Sequence, residues 1–276
     1  MTLQDFKLKM ISELSSIYEM DELNSIYNLL SEDYLKIPRS KILLANEFDL
    51  NESNQTLFLS ALERLKTHEP IQYVLGKTNF MDLEFKVNCS VLIPRPHTEE
   101  LVRLMLKEDL DGKEILDIGT GSGCIAISLA KNLPNSKVTA LDFSSDALEV
   151  ARENAELNNV SIEFINADIF EYQSDKKYDI IVSNPPYVLE SEKSLMKKNV
   201  LDFEPHKALF VNDNEPFEYL EFIIGFSEKA DADYIFFEIN SDRLVSHEEY
   251  FEKFNFDYSF FDYYNEKKRF CRLVKS

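Results

Sequence analysis

Cysteine and histidine are scarce in this chain of 276 residues. It has three cysteines (Cys89, Cys124 and Cys271) and four histidines, and both types are scattered along the sequence. A disulfide framework or a zinc site needs several such residues at short, regular spacings. The sequence therefore predicts neither, and we expect reduced thiols and no bound metal.

Long apolar runs are also missing. The longest hydrophobic stretches have about the length of a β-strand, whereas a helix needs about 20 apolar residues to cross a bilayer. The first residues of the chain have neither the basic start nor the apolar segment of a signal peptide. We therefore expect a cytoplasmic protein that does not bind membranes.

Positive charge is in the minority. The chain has 30 lysines and arginines against 50 acidic residues, which gives a formal net charge of −20 at pH 7. A surface of that sign repels phosphate backbones. The balance disfavours a nucleic-acid partner without excluding a local basic patch, and acidity also serves solubility by itself.

Apolar side chains, in contrast, are abundant, and their spacing divides the chain. Hydrophobic residues make up 44% of the sequence. They recur at three- and four-residue steps over residues 3–18, and similar patterns follow Asp21, Ser40 and Ser53, which we interpret as helix caps. This predicts a small all-α bundle over residues 1–72. Alternation of polar and apolar residues then predicts a connecting β-hairpin within residues 73–91.

From residue 92 onwards, predicted strands alternate with predicted helices. Such alternation is typical of an α/β domain with a mostly parallel sheet covered on both faces. The predicted strands are residues 114–118, 137–142, 162–166, 180–183, 234–239, 256–263 and 270–274. The sequence thus predicts a second domain over residues 92–276.

A glycine-rich loop follows the first of these strands. Gly119-Thr120-Gly121-Ser122-Gly123 lies between the strand and a predicted helix. Glycines let the backbone turn sharply and approach a ligand, and the helix N-terminus supplies free N–H donors. Asp142, at the end of the next strand, can accept hydrogen bonds from a ribose. Asp168 and Ile169, after the third strand, are placed for the amine and the ring face of an adenine.

The spacing of these glycines favours one cofactor over another. A dinucleotide fingerprint has two residues between its second and third glycines, whereas Ser122 alone separates Gly121 from Gly123. Asp117, just before the loop, would repel a pyrophosphate but suits the cationic methionine end of S-adenosylmethionine. We therefore predict S-adenosylmethionine rather than a nicotinamide cofactor.

A second motif, Asn184-Pro185-Pro186-Tyr187, directly follows the strand at residues 180–183. We call it the elbow. Each proline restricts φ and lacks an N–H, so nearby carbonyls point in set directions. With the side-chain carbonyl of Asn184 and the flat ring of Tyr187, the elbow could hold a planar –NH2 group, either an amide or the amine of a base.

The glycine loop and the elbow together resemble the release-factor glutamine methyltransferases (PrmC/HemK family). Three further segments are similar to that family, namely residues 69–76 (Glu-Pro-Ile-Gln-Tyr-Val-Leu-Gly), residues 92–99 (Leu-Ile-Pro-Arg-Pro-His-Thr-Glu) and Phe203-Glu204-Pro205. The resemblance implies a Rossmann-like class I methyltransferase domain with a seven-stranded, mostly parallel sheet. The preceding helical domain would then recognise the substrate.

The same resemblance implies an activity and a set of site residues. The enzyme would methylate the glutamine of the Gly-Gly-Gln loop in class 1 peptide-release factors, as a monomer and without direct nucleic-acid contact. Asn184 and Pro185 would each accept one N–H of the glutamine amide, and Tyr187 would pack on the amide plane beside Pro186. The cofactor would contact Asn184 together with Asp117, the loop residues 119–123, Asp142, Asp168 and Ile169.

Four departures from the family pattern stand out. His97 replaces a usual aspartate, Asn240 replaces a glycine after residues 238–239, Asp231-Ala232-Asp233 replaces usual glycines, and Ile169 replaces a residue that is often aromatic. None of them touches the glycine loop or the elbow. We therefore expect them to affect affinity rather than activity.

Alternatives remain open at this point. An adenine-N6 methyltransferase would use the same elbow for a flipped base, and a non-catalytic module could dock a translation factor through the helical domain. Arg95, between two prolines, could contact the substrate or form a structural clamp with a carboxylate. His97 could serve as a base, but the proposed chemistry needs none, so a structural or exposed histidine is favoured.

Overall fold

The computed structural model describes residues 1–42, 48–263 and 267–276. The chain divides into two compact units. One comprises residues 1–76 and 197–203, and the other comprises residues 77–196 and 204–276. The division differs from the predicted domains, because residues 73–76 and 197–203 belong to the first unit and the predicted hairpin belongs to the second.

The first unit is helical. Its helices are α1 (Leu3–Leu14), α2 (Met20–Leu35), α3 (Arg39–Ile42), α4 (Glu52–Lys66), α5 (Ile71–Leu75) and α9 (Lys198–Leu201). Leu3, Phe6, Met10 and Leu14 recur on one face of α1 and are completely buried. They pack with Phe58 and other apolar residues of the bundle in a single core cluster. The predicted helical pattern of this region is confirmed, although Leu43 and Leu44 of the third pattern lie outside the described residues.

The predicted helix ends in this unit are wrong in four places. Ser40 is not a cap, because it lies within α3 (Arg39–Ile42). Helix α1 ends at Leu14 rather than residue 18, because two serines follow and Tyr18 uses its hydroxyl to donate to the Leu65 carbonyl at 2.9 Å. Asp21 lies within the first turn of α2, where its charge favours the helix dipole, and is not the cap. The cap of α4 is Asn51 rather than Ser53, since its side chain accepts the Asn54 N–H at 2.8 Å.

The segment at residues 69–76 is held by one arginine. Arg64, in α4, forms an ion pair with Glu69 at 2.5 Å and donates to the carbonyls of Tyr73 and Val74 at 2.9 and 3.0 Å. The Tyr73 carbonyl also accepts the Gly76 N–H at 3.2 Å, so the arginine adds to the pairing of the carbonyls at the end of the short helix α5. The arginine therefore ties α5 to α4.

The second unit contains a seven-stranded sheet. Its strands are β3 (Glu114–Ile118), β4 (Lys137–Asp142), β5 (Glu163–Asn166), β6 (Ile180–Ser183), β9 (Tyr234–Glu238), β10 (Phe256–Asp262) and β11 (Lys268–Lys275). Across the sheet they lie in the order β10-β11-β9-β6-β3-β4-β5. Within this sheet, β11 runs in the direction opposite to the other six strands. The predicted α/β class with a mostly parallel sheet is confirmed, and the strand ends differ from prediction by a few residues at most.

Both faces of the sheet are covered, which explains why its strands read as continuous apolar runs. Ile115 and Ile180 pack into one core cluster, whereas their neighbours Leu116 and Ile181 pack into the other. The helices of this unit are α6 (Pro96–Met105), α7 (Cys124–Asn132), α8 (Ser145–Leu157), α10 (Glu218–Ala230) and α11 (Leu244–Phe251). Short 3-10 helices occupy Glu190–Leu195, His206–Ala208 and Ser241–Arg243.

Two small pairs of strands complete the unit. Strands β1 (Lys77–Phe80) and β2 (Leu83–Lys86) form an antiparallel hairpin within the predicted range, and β7 (Val188–Leu189) pairs in parallel with β8 (Phe210–Val211). The completely buried Asn154 of α8 holds the hairpin. Its carboxamide pairs with the N–H and C=O of Lys86 at 2.6 and 3.0 Å, and it also donates to the Ser122 carbonyl at 2.9 Å. One side chain thus joins the hairpin to the glycine loop.

Replacing Asn154 by alanine should therefore destabilise this unit. The variant removes three hydrogen bonds to the backbone of Lys86 and Ser122, and we expect a loss of about 2 to 4 kcal/mol in the free energy of unfolding. Urea unfolding measures it. Asn79→Ala, at an exposed position of β1, is the matched control, and equal stability of the two variants would contradict the assigned role of Asn154.

Candidate active site

Parallel strands bring the predicted site residues to one edge of the sheet. A cavity of about 650 Å³ lies there, at the carboxyl ends of β3, β4, β5 and β6. Most of the predicted residues line it, namely Gly119, Thr120, Gly121, Ser122, Asp142, Asp168, Ile169, Asn184, Pro185 and Pro186. Asp117, Gly123 and Tyr187 are not in its wall.

The glycine loop is fastened to the end of β4. The N–H groups of Gly119 and Thr120 donate to the Leu141 carbonyl at 2.8 and 3.1 Å, and the Gly121 N–H donates to Asp142 Oδ2 at 2.8 Å. Gly121 has φ +55° with open space where a Cβ would stand, so a ligand can approach this backbone. The loop is therefore positioned by the strand that carries Asp142.

Gly123 serves packing instead. Its φ is +81°, and a Cβ there would lie 2.8 Å from Ile127 Cδ1 and 3.2 Å from Ala151 Cβ. A side chain at this position would push α7 and α8 apart. Its glycine is required by helix packing behind the cavity rather than by a ligand.

Asp117 lies behind the cavity wall and is completely buried. Its Oδ2 accepts the Thr120 hydroxyl at 2.6 Å and the Ala126 N–H at 3.2 Å, while Oδ1 has no hydrogen-bond partner among the described residues. Burial raises the pKa of Asp117 to about 7, against these two hydrogen bonds, which lower it. Asp117 Oδ2 thus stabilises the glycine loop and the start of α7, while Oδ1 can still accept a hydrogen bond.

Asp142 faces the cavity from the end of β4. Its Oδ1 accepts the Ser144 N–H at 2.9 Å and its Oδ2 accepts the Gly121 N–H. Burial raises the pKa of Asp142, while the N–H groups of Ser144 and Gly121 oppose that shift. Since each carboxylate oxygen can accept more than one hydrogen bond, both could also serve a pair of ligand hydroxyls.

Asp168 and Ile169 follow β5 and differ in exposure. Asp168 is exposed, and its Oδ1 accepts the Phe170 N–H at 3.0 Å. Ile169 is buried within one of the two core clusters of this unit and presents an apolar surface to the cavity. The pair offers a polar and an apolar contact side by side, as predicted for an adenine.

The elbow is anchored to the strand beneath the glycine loop. The Ser183 hydroxyl donates to the Ile118 carbonyl at 2.7 Å, just before the loop begins. Pro185 is buried, and Asn184 is half-buried with its Nδ2 donating to Thr98 Oγ1 at 3.3 Å. The two predicted motifs therefore meet in one cavity.

Tyr187 differs from its predicted placement. Its hydroxyl donates to Glu238 Oε1 at 3.1 Å, away from the cavity wall. Burial and the negative charge of Glu238 raise the pKa of Tyr187, so the phenol remains a donor. Its packing on a substrate amide stays a prediction, because the side chain is held here by a buried carboxylate.

Arg95 and His97 both contact carboxylates. Arg95 pairs with Glu204 at 2.5 Å, and the other oxygen of Glu204 accepts the Ile93 N–H at 3.2 Å. Arg95 therefore acts as the structural clamp, although it also lines the cavity. His97 Nε2 lies 2.9 Å from Glu238 Oε1, but the ring is not oriented for a hydrogen bond.

The sequence predicted no role for three residues that support the site. Thr98, Glu204 and Glu238 are all buried. Glu238 ends a strand whose other residues are apolar. A carboxylate buried at such a position is expected to have hydrogen-bond partners. Glu204 pairs with Ile93 and Arg95, and Thr98 pairs with Glu238, across more than a hundred residues, so these pairings carry no local signal.

The described part of the chain contains neither a metal-ligand cluster nor a membrane-spanning helix. Within the ranges the structure describes, no three or more His, Cys, Asp and Glu side chains are grouped to hold a metal ion. Over the same ranges, no helix has the length and apolar character needed to cross a membrane.

Two family models match the sequence. The one described as Methyltransferase small domain matches residues 97–203, and the one described as PrmC N-terminal domain matches residues 9–76. The first match contains the glycine loop, Asp142, Asp168 and Asn184. The second falls on the helical unit.

Named relatives extend these matches over most of the chain. The release factor glutamine methyltransferase of Flavobacterium psychrophilum is 42% identical over 264 residues, which is 93% of either chain. That of Bacteroides thetaiotaomicron is 43% identical over 231 residues, covering 82% of this chain and 83% of the relative. Among solved structures, the hMettl16 catalytic domain in complex with MAT2A 3′UTR hairpin 6 has a TM-score of 0.54 over 82% of each chain. At 17% identity, that likeness supports the fold alone.

The buried Asp117 should make stability depend on pH. Its pKa in the folded chain, about 7, lies above the ordinary 3.8. Its contribution is therefore fully present below pH 3.8 and is lost as the pH rises through about 7. Relative to Asp117→Asn, the wild type should lose on the order of a few kcal/mol of unfolding free energy between pH 5 and pH 8.

Urea unfolding at several pH values tests this. Asp257→Asn, at an exposed position of β10, controls for the substitution itself. A constant stability difference between the wild type and Asp117→Asn across this pH range would refute the assigned shift.

Proposed function

This chain belongs to the release factor glutamine methyltransferases, and on that premise we propose that it methylates the side-chain nitrogen of a glutamine in a class 1 peptide-release factor. The methyl donor in this proposal is S-adenosylmethionine, and the substrate is the glutamine of the Gly-Gly-Gln loop. One observation carries it beyond the family name. The glycine loop and the elbow line one cavity, so a methyl donor and an amide can meet there.

The residues around the glycine loop fit the proposed cofactor. S-adenosylmethionine would supply a methyl group from its positively charged sulfur and leave as S-adenosylhomocysteine. Asp142 offers carboxylate oxygens for a ribose, while Asp168 and Ile169 offer a polar and an apolar contact for an adenine. Asp117 lies just behind the cavity wall, and its Oδ1, which has no hydrogen-bond partner among the described residues, would accept a hydrogen bond from a cationic amine. Open space at Gly119 and Gly121 allows close approach to the backbone.

The elbow fits the proposed substrate. An amide nitrogen is a poor nucleophile, because its lone pair is delocalised into the carbonyl. Two acceptors, Asn184 Oδ1 and the Pro185 carbonyl, would take the two N–H groups and orient the nitrogen towards the methyl donor. The same dipoles would stabilise positive charge that develops on this nitrogen. Its proton can leave to water after transfer, so no basic side chain is required.

The helical unit has a place in this proposal as well. We propose that it recognises the release factor, since the PrmC N-terminal domain model matches residues 9–76. An adenine-N6 methyltransferase is the alternative with the same elbow. We do not favour it, because the net charge of −20 opposes a nucleic-acid substrate and the named relatives act on release factors.

Asn184→Ala should abolish most turnover while cofactor binding persists. Loss of one acceptor in such a site is expected to reduce kcat by roughly tenfold to hundredfold or more. The measurement is methyl transfer from labelled S-adenosylmethionine to a purified release factor, with tRNA and DNA as comparison substrates. Asn79→Ala is the matched control, and full activity of Asn184→Ala would exclude this role for the elbow.

Asp142→Ala should act on cofactor binding first. Removing a carboxylate that accepts charged hydrogen bonds is expected to raise the Kd of S-adenosylmethionine at least about tenfold. Calorimetric titration measures the Kd directly, with the exposed Asp257→Ala as the control. An unchanged Kd would refute the assignment of Asp142 to the ribose.

A further inference from the structure

A network of hydrogen bonds between three side chains leads from the end of β9 to the elbow. Thr98 donates its hydroxyl hydrogen to Glu238 Oε2 at 2.8 Å, and its oxygen accepts from Asn184 Nδ2 at 3.3 Å. Glu238 is completely buried and Thr98 is 2% exposed. The three side chains come from β9, α6 and the loop after β6, so the network forms only in the folded unit.

Glu238 sets the direction in which hydrogen bonds are donated along this network. An ionised carboxylate can only accept hydrogen bonds. Both hydroxyls that reach Glu238 donate to it, from Thr98 at Oε2 and from Tyr187 at Oε1. Thr98 has a single hydroxyl hydrogen, and that hydrogen is committed to Glu238. The Thr98 oxygen can therefore only accept a hydrogen bond from Asn184.

The orientation of Asn184 follows from this commitment. A carboxamide has one donor end and one acceptor end, and only the donor end, Nδ2, can pair with the lone pairs of Thr98. Asn184 Oδ1 is then the free end, and it has no hydrogen-bond partner within the described parts of the chain. Since Asn184 lines the cavity, its free end is an acceptor.

We propose that Thr98 and Glu238 are positioning residues, which orient the Asn184 carboxamide so that the site accepts a substrate with an N–H donor. This inference rests on the proposed function and deepens it. If the Asn184 carboxamide were rotated by half a turn, its Nδ2 would face the N–H groups of a glutamine amide. Two donors would then oppose each other, and no hydrogen bond could form. Glu238, which would reach the substrate only through Thr98 and Asn184, thereby selects a substrate with an amide or amine group.

The first test removes the Thr98 hydroxyl with little change of shape. In Thr98→Val the carboxamide loses its orienting partner, and we expect kcat for release-factor methylation to fall tenfold to hundredfold. The Kd of S-adenosylmethionine should stay unchanged. Thr98→Ser restores the hydroxyl and should recover most of the rate. The matched control is Thr139→Val, a buried threonine of β4 that does not line the cavity.

A double-mutant cycle separates positioning from general stability. If Thr98 acts through Asn184, Thr98→Val should have no further effect on kcat in the Asn184→Ala background. A further loss of the same size in that background would show a separate structural role and overturn the inference. Glu238→Gln is the complementary variant. Its carboxamide can donate to the Thr98 oxygen, so the Thr98 hydroxyl is no longer committed to donating at this position. Its kcat should fall while thermal unfolding shows a folded protein.

A spectroscopic readout needs no substrate and so stands apart from the proposed function. The side-chain NH2 resonances of Asn184, assigned by their loss in Asn184→Ala, should shift in Thr98→Val and Glu238→Gln but remain in place in Thr139→Val. Unchanged resonances in both variants would refute the positioning role. A wild-type enzyme that methylates no release factor would instead refute the proposed function, and these resonances would still decide the orientation of Asn184.

Discussion

Parallel pairing of the central strands is the constraint on which the rest of the second unit depends. In the register of the sheet, Ile118 of β3 is paired with Leu141 of β4 and Ser183 of β6, and Ser183 is paired with Phe237 of β9. The chain therefore leaves each strand at the same edge. The glycine loop, Asp142, the elbow and Glu238 meet there because they follow these paired positions. Backbone hydrogen bonds thus decide which side chains can share the cavity.

Buried carboxylates then stabilise the loops at that edge. Burial of an acidic group is costly unless donors surround it, and each of these groups accepts hydrogen bonds from at least two donors. Glu204 joins Arg95 to the Ile93 backbone, Glu238 joins Thr98 to Tyr187, and Asp142 joins the glycine loop to the start of α8. Removing one partner would leave a charge without compensation, so each pairing also selects one arrangement of the loops. The acidity of the chain is in part structural.

The departures from the family pattern have local explanations. Asp231 takes the left-handed conformation, with φ +64°, where a glycine is usual, and it forms ion pairs with Lys177 and Lys275. Those lysines lower the pKa of Asp231 to about 2. Asn240 accepts the Asp242 N–H at 3.0 Å and so caps a 3-10 turn. His97 stands close to Glu238, and it therefore adds a ring to the surroundings of the carboxylate that orients the elbow.

Local sequence determined the elements and the chemistry they carry. The apolar runs predicted β3, β4 and β6 because a strand buried on both faces needs no polar residue, and the glycine and proline motifs predicted loops because those residues restrict the backbone in known ways. Tertiary structure alone decided which side chains cooperate. Asp117 and Tyr187 belong to the predicted motifs yet are not part of the cavity wall, while Thr98 and Glu238 support Asn184 from elsewhere in the sequence. Hydrogen bonds between distant segments depend on how strands and helices pack, and no spacing along the chain records that packing.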